Sequence, residues 1–378
     1  MPKILYVCDG ISPWVVGGMQ SVSRRHLGWL RELGFEVVAV TSRNQPTGDI
    51  SFASKIEFVA WPEKSLIHKL DPRKYAKQLI SFSERAAGLI DVHSPNLIYS
   101  EGPLLTAYLD RPREKRVPVI FHPHGLEMYQ RTGSIINDLR LQPLRSLVRK
   151  HAHASQVTLS QGGRLDGILL EDVGISKDRI ERLPNCTPAN FAYAAGPRTK
   201  NKGRFLFVGR DEVRKGLRTL IRAVADVKGA QLDIVGGSKR LDRLPGRFAI
   251  HGEITNRSRL RAIYDEVDFL VVPSLAEGMP TVILEAFSAG LPVIATDVGA
   301  VAAVIKDGQN GFLIPRADYA ALREALIKAK ELTNPAYTKL SLSALDMAKN
   351  VFSPMSVRMR LDSIVRRLLL GDVMGETE

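Results

Sequence analysis

The chain has 378 residues, 44% of them hydrophobic and 25% charged, with a mean hydropathy of −0.06. That balance excludes a disordered or fibrous protein, and the length exceeds what one compact core usually supports, so two domains are expected. The net charge of +13 divides into +6 over residues 1–187 and +7 beyond, a spread that argues against a nucleic-acid stripe and suits phosphorylated substrates, an anionic membrane surface or simply a solvated basic exterior.

Cys8 and Cys186 are too few for a disulfide framework, and both stand beside apolar residues, which fits a reducing compartment. No run reaches the roughly eighteen apolar residues of a membrane span. The opening apolar run ends at Asp9 and Gly10, short of a signal peptide's core, so a cytoplasmic chain is expected.

In chain order, strands are predicted at 3–8, 35–41, 56–60, 97–100, 117–122 and 155–159, with helices at 18–33, 73–90, 103–110 and 138–153. A polar stretch from 188 to 202 has the composition of a linker. The pattern then restarts: strands at 204–208, 231–235, 247–251, 268–273, 291–295 and 311–314, and helices at 216–227, 257–265, 281–289 and 317–331. Helical spacing of Val357, Leu361, Ile364, Val365 and Leu368 predicts a last helix over about 355–370. Two successive sets of βα units imply an α/β chain of two doubly wound domains, residues 1–187 and 188–354, facing across a cleft, with the last helix returning to the first domain. Ligands on such sheets bind beyond the carboxyl ends of the strands.

Two stretches carry the densest chemical signal. In Pro273-Ser274-Leu275-Ala276-Glu277-Gly278-Met279-Pro280-Thr281-Val282-Ile283-Leu284-Glu285, an apolar strand ends at Pro273 and Pro280 opens a helix. Glu277 falls in the turn and Glu285 inside the helix, where carboxylates are tolerated and suit sugar hydroxyls as acceptors. Read plainly, Glu277 is a helix cap and Glu285 a solvated charge. In Phe207-Val208-Gly209-Arg210-Asp211-Glu212-Val213-Arg214-Lys215-Gly216, a strand runs into a tight turn with two cations ahead of a helix, which suits a diphosphate.

Together these stretches resemble the nucleotide-sugar half of the retaining glycosyltransferase family 4, of GT-B fold, which shows a Gly-Arg…Lys-Gly element and a Glu-x7-Glu element in a Pro-Ser-x-x-Glu-Gly-x-Pro setting. The resemblance spans about residues 204–315. It implies that Arg210 and Lys215 bind the donor diphosphate, that Glu277 faces the donor sugar and Glu285 the ribose hydroxyls, and that Gly278, Met279 and Pro280 place backbone amides near the sugar or phosphate. In the first half, Gly17-Gly18-Met19-Gln20 matches the family's glycine-rich loop. A dinucleotide fingerprint would stand directly after the strand, so NAD is not expected. His122-Pro123-His124-Gly125 resembles the family's His-Gly element, with His124 contacting the donor sugar. The chain departs from the family at Pro184-Asn185-Cys186-Thr187-Pro188 and at Ala303, where relatives often carry Pro-Asn-Gly-Val-Asp and a glutamate.

A metal site built on His122 and His124 finds no third ligand by spacing, and the sequence holds no Asp-x-Asp motif. No metal and no cofactor are therefore expected. The resemblance implies a retaining hexosyl transfer from a UDP- or GDP-sugar to a saccharide or lipid-linked acceptor in cell-surface polysaccharide or glycolipid synthesis. The alternatives are a GT-B phosphorylase or epimerase and a non-catalytic nucleotide-sugar-binding protein. Residues 139–150 mix apolar and basic side chains as a helix at an anionic membrane surface does, or as a domain helix with a solvated basic face.

Overall fold

The computed structural model describes residues 1–12, 14–15, 18–42, 50–59, 71–130, 140–188, 191–237 and 246–371. The chain forms two compact units. One comprises Met1–Gln161, Leu165–Leu183 and Arg358–Glu378; the other comprises Gly162–Arg164 and Pro184–Val357.

The first unit is built on seven parallel strands: β1 Lys3–Cys8, β2 Glu36–Thr41, β3 Lys55–Phe58, β4 Leu97–Glu101, β5 Val119–His122, β6 Val157–Ser160 and β7 Ile180–Arg182, in the order β3-β2-β1-β4-β5-β6-β7. Its longer helices are α1 Gly18–Glu32, α2 Pro72–His93 and α3 Gln142–Ala154. Five of the six residues of β1 are buried, as expected of a central parallel strand covered on both faces. That burial makes the strand legible as an unbroken apolar run. The short, half-exposed β7 carries no such run, and the apolar pattern does not predict it. The helix expected at 103–110 shortens to Thr106–Leu109, with an N-cap at Leu105 that makes no side-chain cap. The first residues of the helix expected at 138–153, and residue 60 of the strand expected at 56–60, lie outside the described residues.

In the second unit, β8 Arg204–Gly209, β9 Gln231–Gly236, β10 Phe248–Gly252, β11 Phe269–Val272, β12 Val293–Thr296 and β13 Gly311–Ile314 form a parallel sheet in the order β10-β9-β8-β11-β12-β13. Helices α4 Leu217–Ala225, α5 Arg257–Glu266, α6 Thr281–Ser288 and α7 Tyr319–Glu331 connect or follow these strands, and α8 Asn334–Asp346 comes after them. No helix is predicted from the sequence where α8 stands. The stretch read as a linker has no regular structure where it is described, but it is strapped to this unit. Arg198 donates to the carbonyls of Tyr264, Asp265, Val267 and Ala289. Four carbonyls on one guanidinium secure the segment in a way that composition does not reveal.

The last helix, α9 Pro354–Leu370, crosses the boundary between the units at Arg358. Within the first unit Arg358 pairs with Glu32 at 2.7 Å and Arg366 donates to the Leu33 carbonyl while lying over the Phe35 ring. Leu361, Val365 and Leu368 are buried, as their spacing predicts.

A buried histidine fixes part of the first unit. His151 of α3 holds the Leu147 carbonyl through Nδ1 at 2.7 Å and accepts the Leu105 N–H at Nε2, 3.0 Å away, so it is the neutral Nδ1–H tautomer. Burial lowers its pKa from 6.5 to about 4. The unfolded chain therefore takes up a proton near pH 6.5 that the folded chain refuses. Stability is lost as pH falls from 6.5 towards 4, by about 1.4 kcal/mol at most for each pH unit crossed. Glu285 and Asp268, raised by burial, titrate with the opposite effect, so the comparison is differential. The stability advantage of the wild type over His151→Gln is expected to shrink from pH 6.5 towards pH 4 in denaturant titrations. A pH-independent difference would contradict it.

Candidate functional site

In the second unit the chain runs from β8 outward to β10 and then returns to the other side of β8 with β11. The loops leaving β8 and β11 therefore flank the switch point of the sheet, where open α/β sheets bind ligands. The two loops are locked together. Gly216 has φ +70°, and a Cβ there would lie 2.1 Å from the Pro273 carbonyl oxygen. The Leu275 N–H donates to the Arg214 carbonyl at 2.6 Å.

This lock brings Lys215 to Glu277. Lys215 Nζ lies 2.5 Å from Glu277 Oε1, which also accepts the Ser274 hydroxyl at 2.7 Å. Arg214 Nη1 stands 3.8 Å from Glu277 Oε2, and its Nε donates to Glu212, which pairs in turn with Arg210 at 3.0 Å. The cations and carboxylates thus alternate along one chain of charge. Arg210 occupies its outer end, 70% exposed, and is linked to Glu277 through Glu212 and Arg214. Capping does not describe Glu277: it is 5% exposed and serves as the hub of this chain.

Glu285, read plainly as solvated, is 4% exposed. It sits in the middle of α6, accepts the Tyr264 hydroxyl at 3.0 Å and pairs with Arg257 at 3.0 Å. Burial raises its pKa, while Arg257 and Tyr264 oppose that shift. The carboxylate is therefore held at a net electrostatic cost, which the fold alone does not require.

Gly278 accepts the Ala300 N–H at 2.9 Å, and Gly299, at φ +53°, passes so close that a Cβ would lie 2.0 Å from the Glu277 carbonyl oxygen. Met279 is gripped by Asn185, whose amide donates to its carbonyl at 3.0 Å. Pro280 has no N–H to offer a ligand. It is the N-cap of α6, its carbonyl taken by Ile283.

In the first unit the corresponding switch point lies between β1 and β4, and a buried polar cluster occupies it. Glu101 accepts the hydroxyls of Tyr6 and Ser23, and His124 Nε2 stands 3.6 Å from Glu101 Oε1. Tyr99 OH bridges His26 Nδ1 at 3.1 Å and His122 Nδ1 at 2.8 Å. Burial lowers the pKa of His26 and His122 well below the ordinary value, so both are neutral at pH 7. The His122 and His124 rings stack at 3.8 Å, and Nε2 of each is buried with no hydrogen-bond partner among the described residues. His124 has φ +60°, a strained backbone for a residue with a side chain, and such strain clusters at functional positions.

Spacing gave His122 and His124 no third ligand, whereas the fold brings His26, Glu101 and His122 together with ligand atoms within 4.8 Å of one another. Tyr99 already occupies Nδ1 of both His26 and His122, and Tyr6 and Ser23 occupy Glu101. The arrangement is a hydrogen-bonded network around His124.

Gly18 opens α1, and a Cβ there would meet nothing within 4 Å. The helix has no acidic residue in its first turn, which leaves an N-terminus suited to an anion. Gly17 lies outside the described residues. Sequence reasoning missed Arg214, Ser274, Arg257, Tyr264 and the partners of His124. Ser274 stood inside the quoted motif, but only the fold reveals that Arg257 reaches Glu285 from another helix.

Two substitutions test this geometry. Gly216→Ala is expected to destabilise the chain by roughly 1–3 kcal/mol or more, because it adds backbone strain to a clash with a carbonyl. Glu285→Gln is expected to leave the melting temperature unchanged or raise it, since it removes a carboxylate that burial disfavours. Thermal unfolding of both proteins checks the pair.

Residues 17–186 match the family described as "Glycosyl transferase 4-like domain", and residues 202–331 match "Glycosyl transferases group 1". Among curated relatives, the phosphatidyl-myo-inositol mannosyltransferase of Mycobacterium leprae is 35% identical over 134 residues, 32% of this chain and 36% of that protein. The O-antigen biosynthesis glycosyltransferase WbnH of Escherichia coli is 31% identical over 182 residues, 42% and 50% of the two chains. This chain spans half or less of the length of these curated relatives. Among solved structures, the sucrose-phosphate synthase of Thermosynechococcus elongatus superposes with a TM-score of 0.82 at 20% identity, covering 98% of this chain and 100% of that one, a likeness of fold. The chain belongs to the group 1, family 4-like glycosyl transferases and has the GT-B fold.

Proposed function

We propose that the protein transfers a hexosyl group from a UDP- or GDP-sugar to a saccharide or lipid-linked saccharide, with retention at the anomeric carbon and without a divalent metal. The observation that supports this best is the Lys215–Glu277 pair at 2.5 Å, at the switch point of the second sheet and in the same loop–helix segment as the buried Glu285. Breaking the bond between sugar C1 and phosphate oxygen builds negative charge on the leaving diphosphate, which fixed cations can stabilise in place of a metal. Lys215 supplies one such cation and Arg210, swung from Glu212, a second. The Arg210 side chain is exposed and its ion pair is a surface one, so the rearrangement costs little.

In this reading Glu277 accepts a hydroxyl of the donor sugar and Glu285 the ribose hydroxyls, displacing Arg257. His124 offers its imidazole to the sugar, oriented by the stacked His122. The new bond joins C1 to the acceptor oxygen on the face the diphosphate leaves, and the acceptor's proton passes to the departing phosphate oxygen. The two curated relatives, named as a phosphatidyl-myo-inositol mannosyltransferase and an O-antigen biosynthesis glycosyltransferase, support a glycolipid or polysaccharide as the product. No helix among the described residues is long and apolar enough to cross a membrane.

Turnover of UDP- and GDP-sugars with and without saccharide acceptors tests the reading. Transfer that requires acceptor supports it. Sugar-phosphate formation from inorganic phosphate would instead favour a phosphorylase, and binding without turnover a non-catalytic protein. Lys215→Ala is expected to lower kcat/KM by about 100-fold, the scale of one lost charge-stabilising group, whereas EDTA is expected to leave the rate unchanged. NMR of the product should give the anomer of the donor; an inverted product would refute retention.

A further inference from the structure

A second basic feature, separate from the donor residues, belongs wholly to the first unit. A cavity of about 590 Å³ is lined by Arg73, Arg145 and Arg149, with Tyr129, Gln142, Pro143, Ser146 and a single carboxylate, Asp172. Among the described residues three guanidiniums face one acid, so this solvent-open hollow is cationic. Arg149 is held by a neutral group, the Asp172 backbone carbonyl at 2.8 Å. Among the described residues neither Arg149 nor Arg73 meets a carboxylate within ion-pair distance. Arg145 donates through Nε to the Met128 carbonyl at 2.7 Å, and its guanidinium lies over the Tyr129 ring, which fixes the fork in place.

The cavity also receives the start of α3. That helix is 13 residues long, begins with Gln142 and Pro143, has no side-chain cap at Leu141 and no acidic residue in its first turn. Gln142, Pro143, Arg145 and Ser146, four of the eight lining residues, come from the beginning of that helix. The N–H groups of Leu144 and Arg145 are taken by the Leu141 carbonyl, so this helix start contributes the positive end of its dipole, and the hydrogen-bond donors come from the arginines. Guanidiniums that converge on the same volume complete a setting in which a tetrahedral oxyanion is bound by charge-assisted hydrogen bonds.

We infer that the Arg73–Arg145–Arg149 cavity is a phosphate site of the first unit, binding a phosphomonoester or diphosphate group carried by a partner molecule. The group comes either from a soluble phosphorylated compound or from a phospholipid headgroup, and its recognition is independent of the donor chemistry in the second unit.

Calorimetric titration of the full chain with inorganic pyrophosphate at low salt tests the site, using the double variant Arg210→Ala/Lys215→Ala as the parent so that the two donor cations do not contribute. Adding Arg73→Gln and Arg149→Gln, both at exposed positions, should weaken binding about tenfold or more. Adding Asp172→Asn instead should tighten it, because the change removes the one opposing charge and keeps the backbone carbonyl that holds Arg149. A gain of affinity is a result that misfolding cannot imitate. If both added variants bind pyrophosphate as the parent does, the inference fails. Co-sedimentation with phosphatidylcholine vesicles containing phosphatidic acid, a lipid phosphomonoester, then separates the sources. Sedimentation that the two arginine substitutions abolish identifies a lipid headgroup. Pyrophosphate binding with no vesicle binding identifies a soluble phosphate. Failure of the Lys215→Ala enzyme to turn over a donor, with this site intact, bears on the donor reading alone.

Discussion

The second unit is organised around one close approach between the loops that follow β8 and β11. Lys215 and Glu277 are 62 residues apart in sequence, and their contact depends on Gly216 passing the Pro273 carbonyl where no side chain fits. The loop that carries Glu277 is pinned again on its far side, where Gly299 passes beneath the Glu277 carbonyl and Ala300 binds that of Gly278. Two glycines in left-handed conformation, 83 positions apart by their numbering, thus determine where a carboxylate and an ammonium stand. Such constraint keeps charged groups aimed while a ligand is absent, and this is the condition under which fixed charges act without reorganising.

The same economy explains why several polar groups are buried at a cost. Glu285 is a carboxylate that its surroundings push toward protonation, and the cluster around His124 keeps two imidazoles neutral by desolvation. A core selected only for stability would replace these groups with apolar ones of similar volume. Their concentration at the switch points of the two sheets, rather than at random in the core, ties the cost to ligand chemistry.

Most of the fold was legible because buried parallel strands are written as apolar runs, and all six strands of the second sheet were anticipated to within two residues at either end. What escaped was either half-exposed, as β7 is, or lacked strong periodicity, as α8 does. The candidate site was legible in part. The motifs named Lys215, Glu277 and Glu285, since a strand, a turn and a helix start give those positions a defined place. They gave Arg210 and Lys215 equal standing, whereas the fold puts Arg210 at the exposed end of a chain of charge. Arg257, Tyr264 and Glu101 could not be read beforehand, because their partners arrive from other elements through packing, and sequence distance carries no trace of it. The same holds for Asn185, in a segment that departs from the family pattern yet still grips Met279.

The helix that begins in one unit and ends in the other has a consequence for how the protein is made. Residues from Arg358 onward fill positions in the first unit, with Leu361 and Val365 buried there. A ribosome therefore finishes the second unit before it releases the piece that completes the first. Until then the nascent first unit keeps an uncovered apolar face, the kind of surface that draws chaperones or promotes aggregation. No single cut of the polypeptide yields both units whole, so neither can be treated as a detachable module.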